Sequence, residues 1–347
     1  VAARINVDLD LGTANREFRV ADGNGDVDLI VDGVISGPRA INKTGFGTVE
    51  FQGSSANTYT GTTTISAGTL ILNKGENIAA VSGPLTVGNN IGNQDADHLI
   101  SLHSGQVAGS GTTRVNTSGY LELRDVDNTF GALMGNAGLI AGGHISTGSG
   151  TLFLTGTFTT TPLAGPVEVG TLIEGTVDLG GNRIFTTTAR QATTDAADEF
   201  QAVNLGGATG GTFTLSFLGH TTAALDFDAT AATVQAELRL LAPISGIYYL
   251  FFRDGLGKAN VAELVIDGAN LTGTSTAPSV ETRHEGALTL ELTVDALLQN
   301  GGVLSKTGTG AILLNNASNT VTSTTFSGGY LLLGADNPLG AGLITVS

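Results

Sequence analysis

The sequence predicts an all-β solenoid that carries one small inserted α+β domain, and three observations point there. The first is an internal repeat. Val31-Asp32 and Lys43-Thr44-Gly45-Phe46-Gly47 recur as Val294-Asp295 and Lys306-Thr307-Gly308-Thr309-Gly310, both pairs 263 positions apart, whereas Asn15-Arg16-Glu17-Phe18 recurs as Asn182-Arg183-Ile184-Phe185 after only 167. The difference, 263 less 167, places 96 extra residues between Phe185 and Asp295 of the second copy. Duplicated units of this size mark an elongated repeat protein, whose work is done by surface and length. The second observation is composition: 51 of 347 residues are Gly, only 13% are charged, and Lys occurs only at 43, 74, 258 and 306. Such a chain favours short β-branched strands closed by Gly and Asn turns, and it lacks the Glu–Lys pairs of long amphipathic helices. The third is that no segment of crossover-helix length separates the strand signals of the first 190 residues, which leaves a sandwich, a propeller or a β-solenoid.

Residues 1–190 read as the first module and the start of a second. Val27-Asp28-Leu29-Ile30-Val31, Thr48-Val49-Glu50-Phe51, Thr63-Thr64-Ile65, Gly68-Thr69-Leu70-Ile71-Leu72, Tyr120-Leu121-Glu122-Leu123 and Thr151-Leu152-Phe153-Leu154 each alternate with period 2. The recurring Gly-x-Leu-x-Leu segments favour rungs of a solenoid, stacked about 4.8 Å apart. Residues 191–286 differ in texture, holding 8 of the 19 aromatic residues. That density predicts a separate small core. Thr212-Phe213-Thr214-Leu215-Ser216-Phe217 and Ala224-Leu225-Asp226-Phe227 read as a hairpin. Val234, Leu238 and Leu241 then share one helix face ended by Pro243, and residues 247–252 and 261–266 read as further strands. Residues 287–347 resume the solenoid.

Charge and composition bound the partners. A net charge of −16 without clustered Lys or Arg argues against nucleic acid and against anionic membrane surfaces. The absence of cysteine removes disulfides and thiolate metal sites. The longest apolar run, residues 247–252, is far below the roughly 18 residues of a membrane-spanning helix, so no transmembrane segment is expected. The chain opens at Val1 with neither Met nor a charged-then-apolar leader, as a processed chain or an internal piece does.

The string Asn57-Thr58-Tyr59-Thr60-Gly61-Thr62-Thr63-Thr64-Ile65-Ser66-Ala67-Gly68-Thr69-Leu70-Ile71-Leu72 resembles the autotransporter-associated β-strand repeat, also called the passenger-associated transport repeat. A degraded copy runs from Asn319-Thr320-Val321 to Tyr330-Leu331-Leu332-Leu333. The resemblance implies a right-handed parallel β-helix on the outside of a bacterial cell. No series of girdled strands able to form an outer-membrane barrel accompanies it. The 191–286 segment also resembles a module of very large tandem-repeat surface proteins of bacteria.

Candidate chemistry is sparse. Asp22, Asn24, Asp26 and Asp28 place oxygen atoms at alternate positions, as the first half of a calcium loop does, although Val27 stands where the sharp-turn Gly belongs; calcium is the one cofactor they suggest. Asp95, Asp97, His98 and His103 form a polar loop after Asn89-Asn90, while His144, His220 and His284 stand without ligand-spaced companions. Ser305-Lys306-Thr307-Gly308 lacks the Gly that precedes the Lys of a phosphate loop and reads as a turn. Asp125/Asp127 and Asp226/Asp228 are spaced to share a strand face, as the acids of β-helix lyases and glycosidases do, but without the Arg, Lys and aromatic companions of such sites. No catalytic residue is nominated. The expected function is therefore a structural module of a bacterial extracellular or cell-surface repeat protein, forming or decorating a fibre, sheath or surface layer. Both chain ends fall within the strand pattern, so self-association end to end, or covalent tandem neighbours, are the expected partners. An adhesin binding a surface polysaccharide or host ligand through the inserted domain, and a polysaccharide-active enzyme, are the alternatives.

Overall fold

The short alternating segments pair in parallel, each with the segment one turn before and one turn after it. In the computed structural model, residues 1–109, 111–163, 169–189, 200–205, 208–217, 220–229, 233–234, 237–238, 265–273, 279–284, 290–335, 339 and 343–346 are described. They fall into two compact units, Val1–Arg190 with Thr289–Ser347, and Gln191–Leu288. The first is a β-solenoid of about 11 turns.

Each solenoid turn presents up to three strands, which stack into three faces. Face one joins Ala3–Ile5, Leu29–Val31, Thr48–Gly53, Gly68–Lys74, Asp97–Ser101 and Gly119–Glu122 in continuous parallel register. It continues through the starts of His144–Leu154 and Thr171–Thr187 to Leu290–Val294, Ala311–Leu314 and Tyr330–Leu333. Face two runs from Arg16–Arg19 and Ile41–Thr44 through Thr63–Ile65, Leu85–Val87, Thr113–Val115, Leu133–Ala137 and Phe158–Pro162. It then uses the ends of Thr171–Thr187 and Leu297–Thr307, then Val321–Phe326 and Leu343–Val346. Face three is the narrowest, with Leu9–Asp10 on Ile35–Ser36 and Asn128–Phe130 on the Leu152, Phe153 and Leu154 stretch.

Period-2 alternation decides what fills the column. On face one, Val49, Leu70, Leu99, Leu121, Ile145, Ile173 and Val294 occupy one inward ladder and are all at most 2% exposed. On face two, the rings of Phe158 and Phe185 pack with centres 5.5 Å apart and planes tilted by 43°. Each such side chain contributes roughly 1.5–3 kcal/mol when buried, but its partners lie mainly in the neighbouring turns, so no single turn is stable alone.

The register of the repeat is explained by this stacking. Asn15-Arg16 belongs to the first turn and Asn182-Arg183 to the eighth; Lys43 belongs to the second and Lys306 to the ninth. The additional residues therefore leave the solenoid between the eighth and ninth turns. They form the second unit, in which Ala208–Phe217 pairs antiparallel with His220–Thr221, Leu225–Asp226 and Val265–Gly273, and Phe200–Asn204 pairs with Ser279–His284. Thr212 faces Asp226 and Phe213 faces Leu225, as the hairpin pattern requires. Phe213, Leu215 and Leu225 form a small core against which Val234 and Leu238 pack, so the helix-face reading holds at those two positions. Leu241, Pro243 and residues 247–252 lie outside the described residues. The strand read at 261–266 is found from Val265 to Gly273, its earlier positions lying outside the described residues.

Candidate functional site

Polar side chains that the sequence leaves unexplained concentrate at the corners of the solenoid. Lys43 is 1% exposed because it points inward from face two. Its Nζ donates to the carbonyl oxygens of Gly45 at 2.7 Å, Ala67 at 2.7 Å and Thr44 at 3.4 Å. The amine thus ties its own corner to that of the next turn. Lys306 repeats the arrangement on Gly328 at 2.8 Å, Thr307 at 3.0 Å and Gly308 at 3.1 Å, and is also 1% exposed. Burial lowers each amine to a pKa of about 8, against opposing attraction from Asp28 and Asp97 for Lys43 and from Glu291 for Lys306. Enclosed by carbonyls, these amines are braces; neither faces an open site where it can act as a nucleophile. The carbonyls converge because Gly45 and Gly308 turn the chain at φ of 73° and 80°, where a Cβ would strike the Val20 and Thr187 carbonyl oxygens. Lys74, likewise 1% exposed, donates to the Gln52 carbonyl at 2.7 Å.

A second cluster faces outward on face one. His98, Tyr120 and His144 occupy equivalent positions of three successive turns, and their rings stack at 4.5 and 4.3 Å with interplanar angles of 13° and 11°. Carboxylates flank them. Glu122 Oε2 lies 3.0 Å from His98 Nε2, off the line of a hydrogen bond, and 3.1 Å from Arg124. His144 Nδ1 lies 3.1 Å from Asp95 and its Nε2 3.0 Å from Glu174. Asp95 reaches His144 from the 89–96 loop, which Gln94 fastens through a donated bond to the Gly142 carbonyl at 2.8 Å and an accepted one from the Gly142 amide at 2.9 Å. Burial lowers the pKa of His98, against the pull of Glu122, and raises that of Tyr120. Tyr120 is covered on both faces by the two histidine rings, so it offers only its edge to a ligand.

The structure distributes the sequence-nominated residues rather than gathering them. Asp22, Asn24 and Asp26 are exposed, whereas Asp28 accepts the amides of Gly23 at 3.0 Å and Thr48 at 2.8 Å. Among the described residues no three His, Asp or Glu side chains are arranged to hold a metal ion. Asp97 is 2% exposed, accepts a bond from Ser118 Oγ at 2.6 Å, and has its pKa raised by burial. His103 contacts Glu76 at 3.2 Å and Asn73 at 3.1 Å. Asp125 and Asp127 lie in a turn, not on a strand, and accept the amides of Ser149 at 2.7 Å and Thr151 at 2.8 Å in the next turn. Asp226 ends a strand and Asp228 sits in the turn after it, so they do not share a strand face. His220 is exposed, and His284 ends the strand Ser279–His284. Of the outward cluster, Asp95, His98 and His144 were visible in the sequence; Gln94, Tyr120, Glu122 and Glu174 were not. The available signal was the turn-length spacing of positions 98, 120 and 144, which becomes readable only once the rungs are aligned.

Residues 41–72 match the Passenger-associated-transport-repeat family. They span the solenoid from face two of its second turn to face one of its fourth, and include Lys43, Asn57, Tyr59 and Gly68. No curated protein and no solved structure matches the chain. The repeat and the solenoid together suggest a surface or secreted repeat protein. Among the described residues no helix is long and apolar enough to cross a membrane.

Proposed function

We propose that this chain is a structural module of a bacterial extracellular or cell-surface repeat protein, in which the solenoid serves as a shaft of roughly 50 Å, taking eleven turns at about 4.8 Å each. The observation that carries the reading is where the polar side chains are spent. Lys43, Lys306, Asn57, Asp125 and Asp127 all bind backbone groups of a neighbouring turn. This bracing adds to the inter-turn backbone hydrogen bonds, which run along the axis and resist extension and bending together. The repeat family and the fold are typically non-enzymatic. The chain also adds a second copy of its own turns coaxially, with the corner bonds retained. The same operation applied to further modules, covalent or separate, generates a tandem array or a fibre. Antibody labelling of intact and of lysed producing cells tests the location, with labelling of intact cells expected. Label confined to lysed cells overturns the proposal. Electron micrographs of purified material distinguish filaments from single rods.

A further inference from the structure

A groove of about 530 Å³ lies in the solenoid beside the Asp125–Asp127 turn. Its walls come from four successive turns: Glu76 from the fourth, Ser104 from the fifth, Asp127 and Thr129 from the sixth, and Phe153 from the seventh. Three inter-turn steps of about 4.8 Å make it about 14 Å long, the scale of a short linear polymer segment. Its volume lies within the range of small-molecule sites.

The lining specifies the occupant. Among the described residues no Lys or Arg lines it, and two carboxylates do, so an anionic ligand meets repulsion there. Asp127 is exposed and commits one carboxylate oxygen to the Thr151 amide at 2.8 Å. Glu76 accepts the Ser104 amide at 3.2 Å and keeps a half-exposed side chain. Both carboxylates retain acceptor capacity for hydroxyl or ammonium protons. Phe153 projects outward between the inward-facing Leu152 and Leu154, opposite Thr129 in the adjacent strand, which puts an aromatic ring into a wall that is otherwise polar apart from Val107 and Gly105. Carboxylate, hydroxyl and amide groups beside one ring match a sugar, which offers hydroxyls on its edge and C–H groups on its face.

We propose that this groove binds a linear oligosaccharide of neutral or amine-bearing hexoses. The inference concerns the solenoid itself and stands apart from the scaffold reading. It is tested by calorimetric titration of the whole chain with cellotriose, glucosamine trimer and trigalacturonate. One of the first two is expected to bind with a Kd between about 10 μM and 1 mM, and trigalacturonate at least about tenfold more weakly. Phe153→Ala is expected to weaken binding about fivefold or more, and Thr129→Trp, which fills the groove from an exposed strand position, to abolish it. Thr129→Trp leaves the buried Asn128 and Phe130 in place, so it decides the matter if Phe153→Ala does not fold. Absence of binding by both uncharged and amine-bearing trimers up to about 10 mM, preference for trigalacturonate, or unchanged binding by folded Thr129→Trp overturns the proposal.

Discussion

The first three turns and the eighth to tenth turns are two versions of one unit, and they differ in an instructive way. Many of the side chains that satisfy backbone groups are the same in both. Asp10 accepts the Gly12 amide and Asp178 the Gly180 amide, each at 2.8 Å. Asn15 accepts the Ala40 amide and Asn182 the Val303 amide, at 3.2 and 2.8 Å. Asn57 and Asn319 accept the Ile35 and Leu298 amides at 2.9 and 2.8 Å, and the two lysine braces correspond bond for bond. The apolar filling is not the same: Tyr59, wholly buried with its hydroxyl 2.6 Å from Thr63 Oγ1, is replaced by Val321. Leaving a buried carbonyl or amide unpaired costs about 1–3 kcal/mol at once, whereas apolar volume can be redistributed among neighbours at smaller cost. The copies keep these backbone bonds and vary the filling, and the exchange also leaves the Oγ1 of Thr324, the counterpart of Thr63, buried without a partner.

Removing the filler that the copies do not share is expected to have the largest effect. Tyr59→Ala opens a cavity and strands the Thr63 hydroxyl, and is expected to cost about 3–5 kcal/mol. Val321→Ala removes less volume and no hydrogen bond, so its cost is expected to be clearly smaller. Urea midpoints of the two variants at unchanged m check this. Equal losses would mean that the first copy gains nothing from its tyrosine beyond what valine supplies in the second.

The lysine braces sharpen the comparison from the opposite side, because here the copies are expected to behave alike. Lys43→Met and Lys306→Met each keep the aliphatic stem and remove the amine, at an expected cost of roughly 1–3 kcal/mol at pH 7. The pH dependence has a definite sign. Each folded pKa of about 8 lies below the ordinary value of 10.5. Between those limits the unfolded chain binds more protons than the folded one, so these groups make stability rise with pH across that window and contribute no slope below it. Either single variant is expected to reduce the rise and the double variant to remove their joint contribution, read from urea midpoints between pH 7.5 and pH 10. A wild-type slope unchanged in the double variant would show that the amines do not titrate as buried groups.

This pairing also shows what the sequence makes legible. The stacked strands and the insertion follow from alternation, glycine spacing and the shift in repeat offset, because these signals are local or recur in the chain. The lysine braces were visible as repeated Lys-Thr-Gly strings, yet their role was not, since a lysine read alone belongs on the surface and becomes a brace only where two left-handed glycine corners turn carbonyls inward. The ladder of His98, Tyr120 and His144 was hidden for another reason. Turns differ in length, so residues that touch in space have no fixed separation in the chain. Asp125 and Asp127 were misplaced on a strand because their spacing fits one, while Arg124 and Asp125 in fact adopt φ of 36° and 69° and turn the corner.

A cap that spans two turns gives the smallest and most specific prediction. Asp10 and Asp178 hold an amide of their own corner, whereas Asp125, like Asp28 and Glu291 in the copies, reaches forward to an amide of the next turn, that of Ser149. That bond, with a further one from the Ser149 side chain, holds the Asp125 carboxyl below its ordinary 3.8. A depressed carboxyl contributes stability that is present above the unfolded value and lost as pH falls through the folded one. Asp125→Asn retains an acceptor oxygen and tolerates the left-handed backbone but lacks the charge, so it is expected to be slightly weaker than the wild type near neutrality and to lose less stability on acidification. Asp125→Ala removes the acceptor and is expected to be weaker at every pH. Because the group is exposed, both differences are expected to be smaller than those of the lysine variants, and urea midpoints at pH 7, 4 and 3 measure them. An Asp125→Asn variant whose acid loss is as steep as the wild type's would show that the inter-turn bond does not depend on the charge of its acceptor.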